Sequence, residues 1–169
     1  MISRPQPSEY SDFAARYVDL VGDGPILQIF EDQKESSYNL FTGLTPDKAA
    51  YAYAEGKWTI KQVLGHMADT ERIFAYRALV FSRESITLPG FDQDVYMEHT
   101  TFNERSIEDL ADEFKTIRQA SIYLFKSLTE PQSTQKGIAS GNPFSVRAYA
   151  YMIAGHEAHH INILKERYF

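Results

Sequence analysis

The sequence predicts an all-α protein: an antiparallel four-helix bundle with an additional short N-terminal helix and a long loop between the second and third long helices. Three observations predict it. Four long segments repeat apolar residues at helical spacing. Helix starts carry capping residues, with Thr59 and Gln62 placed for a reciprocal pair and Ser106 and Ser145 opening later segments. The segments are joined by connections of unequal length, with no internal repeat, low-complexity tract or linker, so residues 1–169 read as one domain.

The totals set bounds on function. A chain of 169 residues with 43% hydrophobic and 24% charged residues has the profile of a soluble globular protein with a real core. The net charge is −6 and no basic cluster occurs, which argues against a nucleic-acid partner. The absence of cysteine excludes a disulfide framework, a thiolate metal site and a cysteine nucleophile. Any thiol chemistry would use the thiol of a substrate. Apolar runs are too short to span a bilayer, and the N-terminal stretch from Met1 to Tyr10 lacks the apolar core of a signal peptide, so the cytoplasm is the expected location.

In chain order, Pro5 and Pro7 keep the start extended, and Ser8 or Ser11 can cap a short helix with the stripe Tyr10, Phe13, Tyr17, Leu20 and Val21. Pro25 suits the first turn of a helix running to about Thr42, whose polar middle, Glu31 to Ser37, reads as a solvated face or a local break. Residues 44–57 form a connection in which alternating aromatics allow a short extended piece. Trp58 precedes the capped helix that runs to about Arg83, with Val63, Met67, Phe74, Ala78 and Phe81 on one face and His66 and Thr70 at its edge. Residues 84–105 are too long for a simple loop, and Phe91, Tyr96 and Phe102 predict a packed excursion over one end of the domain. The next helix buries Leu110, Phe114, Ile117, Ser121, Leu124 and Leu128 and stops at Pro131. Residues 131–144 read as a polar turn, and Ser145 caps the last helix, with the stripe Tyr149, Met152, Ile153, Ile163 and Leu164.

Three of the five histidines lie in this last helix. His156 and His160 are four residues apart and fall within the stripe, so both point into the bundle. His159 lies about 60° to one side of His156 and could also turn inward. Spacing alone leaves both pairings open; the centre of the stripe favours His156 and His160. A core histidine can simply bond a buried carbonyl. Two inward histidines at ligand spacing, with His66 on another helix, also suit a divalent metal ion, because bundles build metal sites from facing helices. Three neutral imidazoles would leave such a metal open to water or substrate. Asp69 and Glu157 could orient the ligands or be ordinary solvated carboxylates. Glu157 follows His156, but the arrangement is not read as the zinc-protease one. His99, in the long loop, reads as a surface histidine.

The stretch Trp58-Thr59-Ile60-Lys61-Gln62-Val63-Leu64-Gly65-His66-Met67-Ala68-Asp69-Thr70-Glu71-Arg72 resembles the first conserved block of the DinB-like superfamily. Leu88 to Asp92, Ser145 to Ala148 and Gly155 to His160 resemble its later blocks, in order along nearly the whole chain. The resemblance implies a four-helix bundle, a homodimer, and a metal held by one histidine of the second long helix and two of the last. Carried over, these are His66, His156 and His160, with zinc or nickel foremost among the metals. It further implies a metal-dependent hydrolase, or a transferase that joins a low-molecular-weight thiol such as bacillithiol to a small-molecule electrophile. Two other readings stand beside the enzyme: a non-catalytic dimeric bundle with a structural metal or a partner-binding role, and a metal-free bundle with a polar core.

Overall fold

The computed structural model describes residues 2–169. In chain order its helices are α1 (Asp12–Val18), α2 (Ile26–Thr42), α3 (Pro46–Ala49), α4 (Ile60–Phe81), α5 (Gln93–Glu98), α6 (Ile107–Lys126), α7 (Glu130–Ser133) and α8 (Val146–Arg167). Three short strands, β1 (Thr87–Leu88), β2 (Lys136–Ala139) and β3 (Asn142–Ser145), form one small sheet. The long helices α2, α4, α6 and α8 make the predicted four-helix bundle.

Cross-helix contacts fix the directions. Phe30 meets Phe125 and Lys34 meets Gln119, so α2 and α6 are antiparallel. His66 meets His156 and Phe74 meets Tyr149, so α4 and α8 are antiparallel too. By contrast, Thr59 bonds Asn103 and Glu71 bonds Arg118, so α4 and α6 run the same way. Two parallel neighbours cannot be joined by a short turn. The chain must return the full length of the bundle between Phe81 and Ile107, which explains the long connection. That connection is a packed excursion, as its aromatics predict, and contains β1 and α5.

Capping follows the sequence closely. Ser11, Thr59, Ser106 and Ser145 each accept the backbone N–H three residues on, and Thr59 and Gln62 form the reciprocal pair. Other details differ. Pro25 is the N-cap of α2, not its first turn. The polar middle of α2 is neither a break nor merely a solvated face: Lys34 reaches Gln119 on α6, and Ser37 reaches Glu157 on α8. In α1 the buried face is Ala14, Tyr17 and Val18, while Phe13, and Leu20 in the turn that follows, are exposed. The cause is close approach: a Cβ on Gly155 would lie 1.9 Å from the Tyr17 carbonyl oxygen, so α1 rests backbone-first on α8. The 44–57 connection holds the short helix α3, capped by Thr45, where an extended piece was possible.

The largest departure is at residues 131–144. α6 ends at Lys126, before Pro131, and Pro131 lies in the first turn of α7. The expected polar turn is a β-hairpin, β2 against β3, whose turn residues Ser140 and Gly141 both have positive φ. β1, from the long connection, adds to β2 in parallel, with Thr87 opposite Ile138 and Leu88 opposite Ala139. The sheet ties the connection to the bundle end.

The apolar core falls into two clusters. One, around Phe30, Phe74, Phe81, Phe125 and Tyr149, fills the hairpin end; the other, around Phe41, Leu64, Met67, Phe114 and Leu164, fills the opposite end. A polar belt lies between them, and the functional residues are in it.

Candidate metal centre

α4 and α8 bring His66, His156 and His160 together, so that one ring nitrogen from each lies within 4.8 Å of the others. His66 Nε2 and His160 Nε2 are both 3.1 Å from His156 Nε2. Neighbouring rings set the orientations. Trp58 packs on His66 at 4.9 Å between centroids, and Tyr17 of α1 meets the His156 ring edge-on at 5.4 Å. The Thr70 hydroxyl lies 3.5 Å from His66 Nδ1.

Burial decides the charge state. It lowers His66 to a pKa of about 4, with the charge of His159 acting the same way. It lowers His160 to about 3, helped by His66, His159 and Arg16. His156 is held well below its ordinary value by burial and then by its neighbouring histidines. At neutral pH all three are neutral imidazoles. The donor set fits a divalent cation. Tetrahedral nitrogen ligands about 2.0–2.1 Å from zinc lie roughly 3.3 Å apart, close to the spacing observed.

The cluster sits between two clefts. His66 and His156 line one of about 620 Å³, whose walls come from α1, α4, the long connection and the hairpin. His160 lines the other, of about 700 Å³, beside Trp58, Met97 and Tyr168.

The remaining sequence candidates part company with the cluster. His159 is half-buried and packs on Tyr17 and His160, outside the three-nitrogen group. Asp69 pairs with Arg72 at 3.4 Å and, among the described residues, makes no hydrogen bond with a histidine. His99 is exposed at the end of α5, as expected. Glu157 is neither solvated nor an orienting acceptor. The order His156-Glu157-x-x-His160 is in fact that of the zinc-protease motif, contrary to the sequence reading. Its carboxylate nevertheless turns away from the histidines into the core, where it accepts a 2.5 Å hydrogen bond from Ser37 Oγ.

There Glu157 meets a residue the sequence reading missed. Arg118 on α6 is completely buried; it grips Glu71 of α4 with two 2.8 Å hydrogen bonds and donates to Gln33 of α2. Its Nη2 lies 2.6 Å from Glu157 Oε2, a charge contact rather than an aligned hydrogen bond. Burial opposes the Arg118 charge, but Glu157 and Glu71 outweigh it and keep its pKa above the ordinary value. Burial likewise raises Glu157, against the pull of Arg118. All four long helices therefore meet in one polar knot, one residue from a histidine of the cluster.

Fold and site together define a class: a helical bundle with three neutral histidines converging between two clefts. The chain belongs to the DinB superfamily, which it matches over residues 29–164. A protein of Oceanobacillus iheyensis, provisionally named a metal-dependent hydrolase, is 31% identical over 127 residues, spanning 72% of this chain and 71% of that one. The solved structure of YfiT from Bacillus subtilis shares the fold, with a TM-score of 0.76 at 16% identity over 97% of this chain and 90% of that one. YfiT is described as a probable metal-dependent hydrolase with an unusual four-helix bundle topology. Among the described residues, no helix is long and apolar enough to cross a membrane.

Proposed function

We propose that the protein is a metal-dependent hydrolase in which His66, His156 and His160 hold a divalent cation, zinc or nickel. The observation that carries this reading is the convergence of three neutral Nε2 atoms at the inner end of a cleft large enough for a small molecule. The names given to the relatives point the same way. When bound, such a cation supplies a Lewis acid that lowers the pKa of water or of a thiol into the neutral range.

The chain's own groups do the rest. Burial keeps the imidazoles unprotonated, Trp58 and Tyr17 hold two of the rings in place, and the cleft admits substrate on the His66 and His156 side. With Glu157 turned into the core, it is not available as a general base at the cluster. A low-molecular-weight thiol is the second candidate nucleophile. It would come from solution, because the chain contains no cysteine.

The test loads purified protein with zinc or nickel and screens aryl esters, amides and phosphoesters for hydrolysis. A parallel arm follows conjugation of a small thiol to a model electrophile. Turnover should vanish on chelation, return with metal, and be absent in His156→Ala. Undiminished turnover in His156→Ala, or no metal uptake by the wild type, sinks the reading. A bundle whose metal is only structural would instead lose thermal stability on chelation and show no turnover in either arm. The reading includes a homodimer, for which exposed Tyr76 and Tyr123 offer aromatic surface. A mass of one 19.4 kDa chain by light scattering at micromolar concentration would count against it.

A further inference from the structure

The α4 wall of the cleft that His66 and His156 line holds a charge that the hydrolase reading does not use. Arg77 lies eleven residues after His66, three turns along nearly the same face of the helix. It is 6% exposed and lines the cleft that reaches the histidines. Other arginines withdrawn from solvent have carboxylate partners: buried Arg118 has Glu71 and Glu157, and partly buried Arg147 has Glu9. Among the described residues Arg77 has none. Its Nη2 donates to the Pro89 carbonyl at 2.7 Å and to Ser140 Oγ at 3.5 Å, and the buried Tyr149 hydroxyl lies beside the same guanidinium, so its protein partners are neutral oxygens. A buried guanidinium without a counter-charge is costly unless an anion or water meets it.

The surroundings favour an anion with an apolar body. The Phe91 ring lies 5.6 Å from the Arg77 guanidinium, and Phe13 and Phe144 line the same cleft. Phe13 is 63% exposed at the rim, where it serves no core purpose. Arg16, stacked on Phe13 at 3.6 Å, adds positive charge at the mouth. The one carboxylate in the lining, Asp92, is engaged by the backbone N–H groups of Asp94 and Val95. A single buried guanidinium matches a monoanion better than a dianion.

We infer that the cleft takes an elongated, partly aromatic carboxylate, whose anion is bound by Arg77 while its reacting group lies at the histidines. The helical rise from His66 to Arg77 is about 16 Å, and both side chains lean the same way, toward the helix N-terminus, so the two ends of the substrate stand on the order of 15 Å apart. This rests on the reading of the cleft as the substrate site.

The test titrates metal-loaded protein with 4-phenylbutyrate and with its neutral amide by calorimetry. The acid binds at least about tenfold more tightly, as one charge-assisted contact predicts. Arg77→Gln removes this preference with metal content and unfolding midpoint unchanged, and Arg77→Lys keeps part of it. Equal affinities for acid and amide overturn the inference. So does a preference that survives Arg77→Gln but disappears in His160→Ala, because the carboxylate then sits on the metal. An Arg77-dependent preference in protein that takes up no metal upholds the subsite and removes the hydrolase reading. Should Arg77→Gln fail to fold, phenylglyoxal labelling of the wild type decides. Protection of Arg77 by the acid alone supports the subsite, and no protection overturns it.

Discussion

Replacing Arg118 by methionine tests whether the polar knot holds the bundle together. Arg118 is 0% exposed, and its removal leaves Glu71 and Glu157, 3% and 2% exposed, as two uncompensated carboxylates in the interior. Breaking a buried ion pair by deleting one partner costs about 3–5 kcal/mol. For a chain of this size that corresponds to a fall in melting temperature of roughly 6–20 °C. The assay is urea unfolding of metal-free protein, followed by far-ultraviolet circular dichroism, so that metal linkage does not contribute. The triple variant Arg118→Met, Glu71→Met, Glu157→Met should recover most of the loss, because apolar groups of similar volume replace buried ion sets at little cost. A single variant within about 1 kcal/mol of wild type would refute the reasoning. A triple variant no more stable than the single one would do so too.

Further outcomes follow from the same geometry. Metal-free protein should lose stability as pH falls below about 6.5, the unfolded-state value of histidine. The unfolded chain then takes up protons that His66, near 4, and His160, near 3, refuse in the folded state. This contribution is complete above pH ~6.5 and declines down to the folded values. Urea midpoints at pH 7.5 and 5.5 isolate it from the carboxylates, and equal midpoints would contradict it. Gly155→Ala should cost about 1–3 kcal/mol, since the new Cβ meets backbone that cannot swing aside. Displacement of α1 also withdraws Tyr17 from His156, so metal affinity should drop as well. A melting temperature within a degree of wild type would remove that account.

Much of the fold was legible because its signals are local. Apolar spacing and serine or threonine caps mark the starts of α4, α6 and α8 to the residue, while α6 ends at Lys126, several residues before the expected stop at Pro131. The histidine cluster was legible for the same reason: His156 and His160 lie in a stripe that could be read off one helix. The polar knot was missed although a comparable signal exists. Glu71, Arg118 and Glu157 each occupy a stripe position, four residues after Met67, Phe114 and Ile153, where a charge requires a partner. Which partner depends on helix directions, and those come from the parallel placement of α4 and α6. The hairpin escaped because Gly137, Gly141 and Pro143 look like loop residues, while β1, which completes the sheet, lies in another part of the chain. Arg77 gives no local sign at all, since its lack of a counter-charge is a property of the assembled cleft.

The separation of the histidines along the chain has a consequence for when a metal can be held. His156 and His160 are neighbours on one helix, so even a poorly folded segment can present that pair. His66 stands 90 residues from His156. In an unfolded chain, drawing it in would mean closing a loop of that size, a cost of roughly 4–5 kcal/mol. The bundle removes this cost by packing α4 against α8. Three-point ligation would therefore be confined to correctly assembled molecules, and a nascent or damaged chain would release its metal before losing most of its helix.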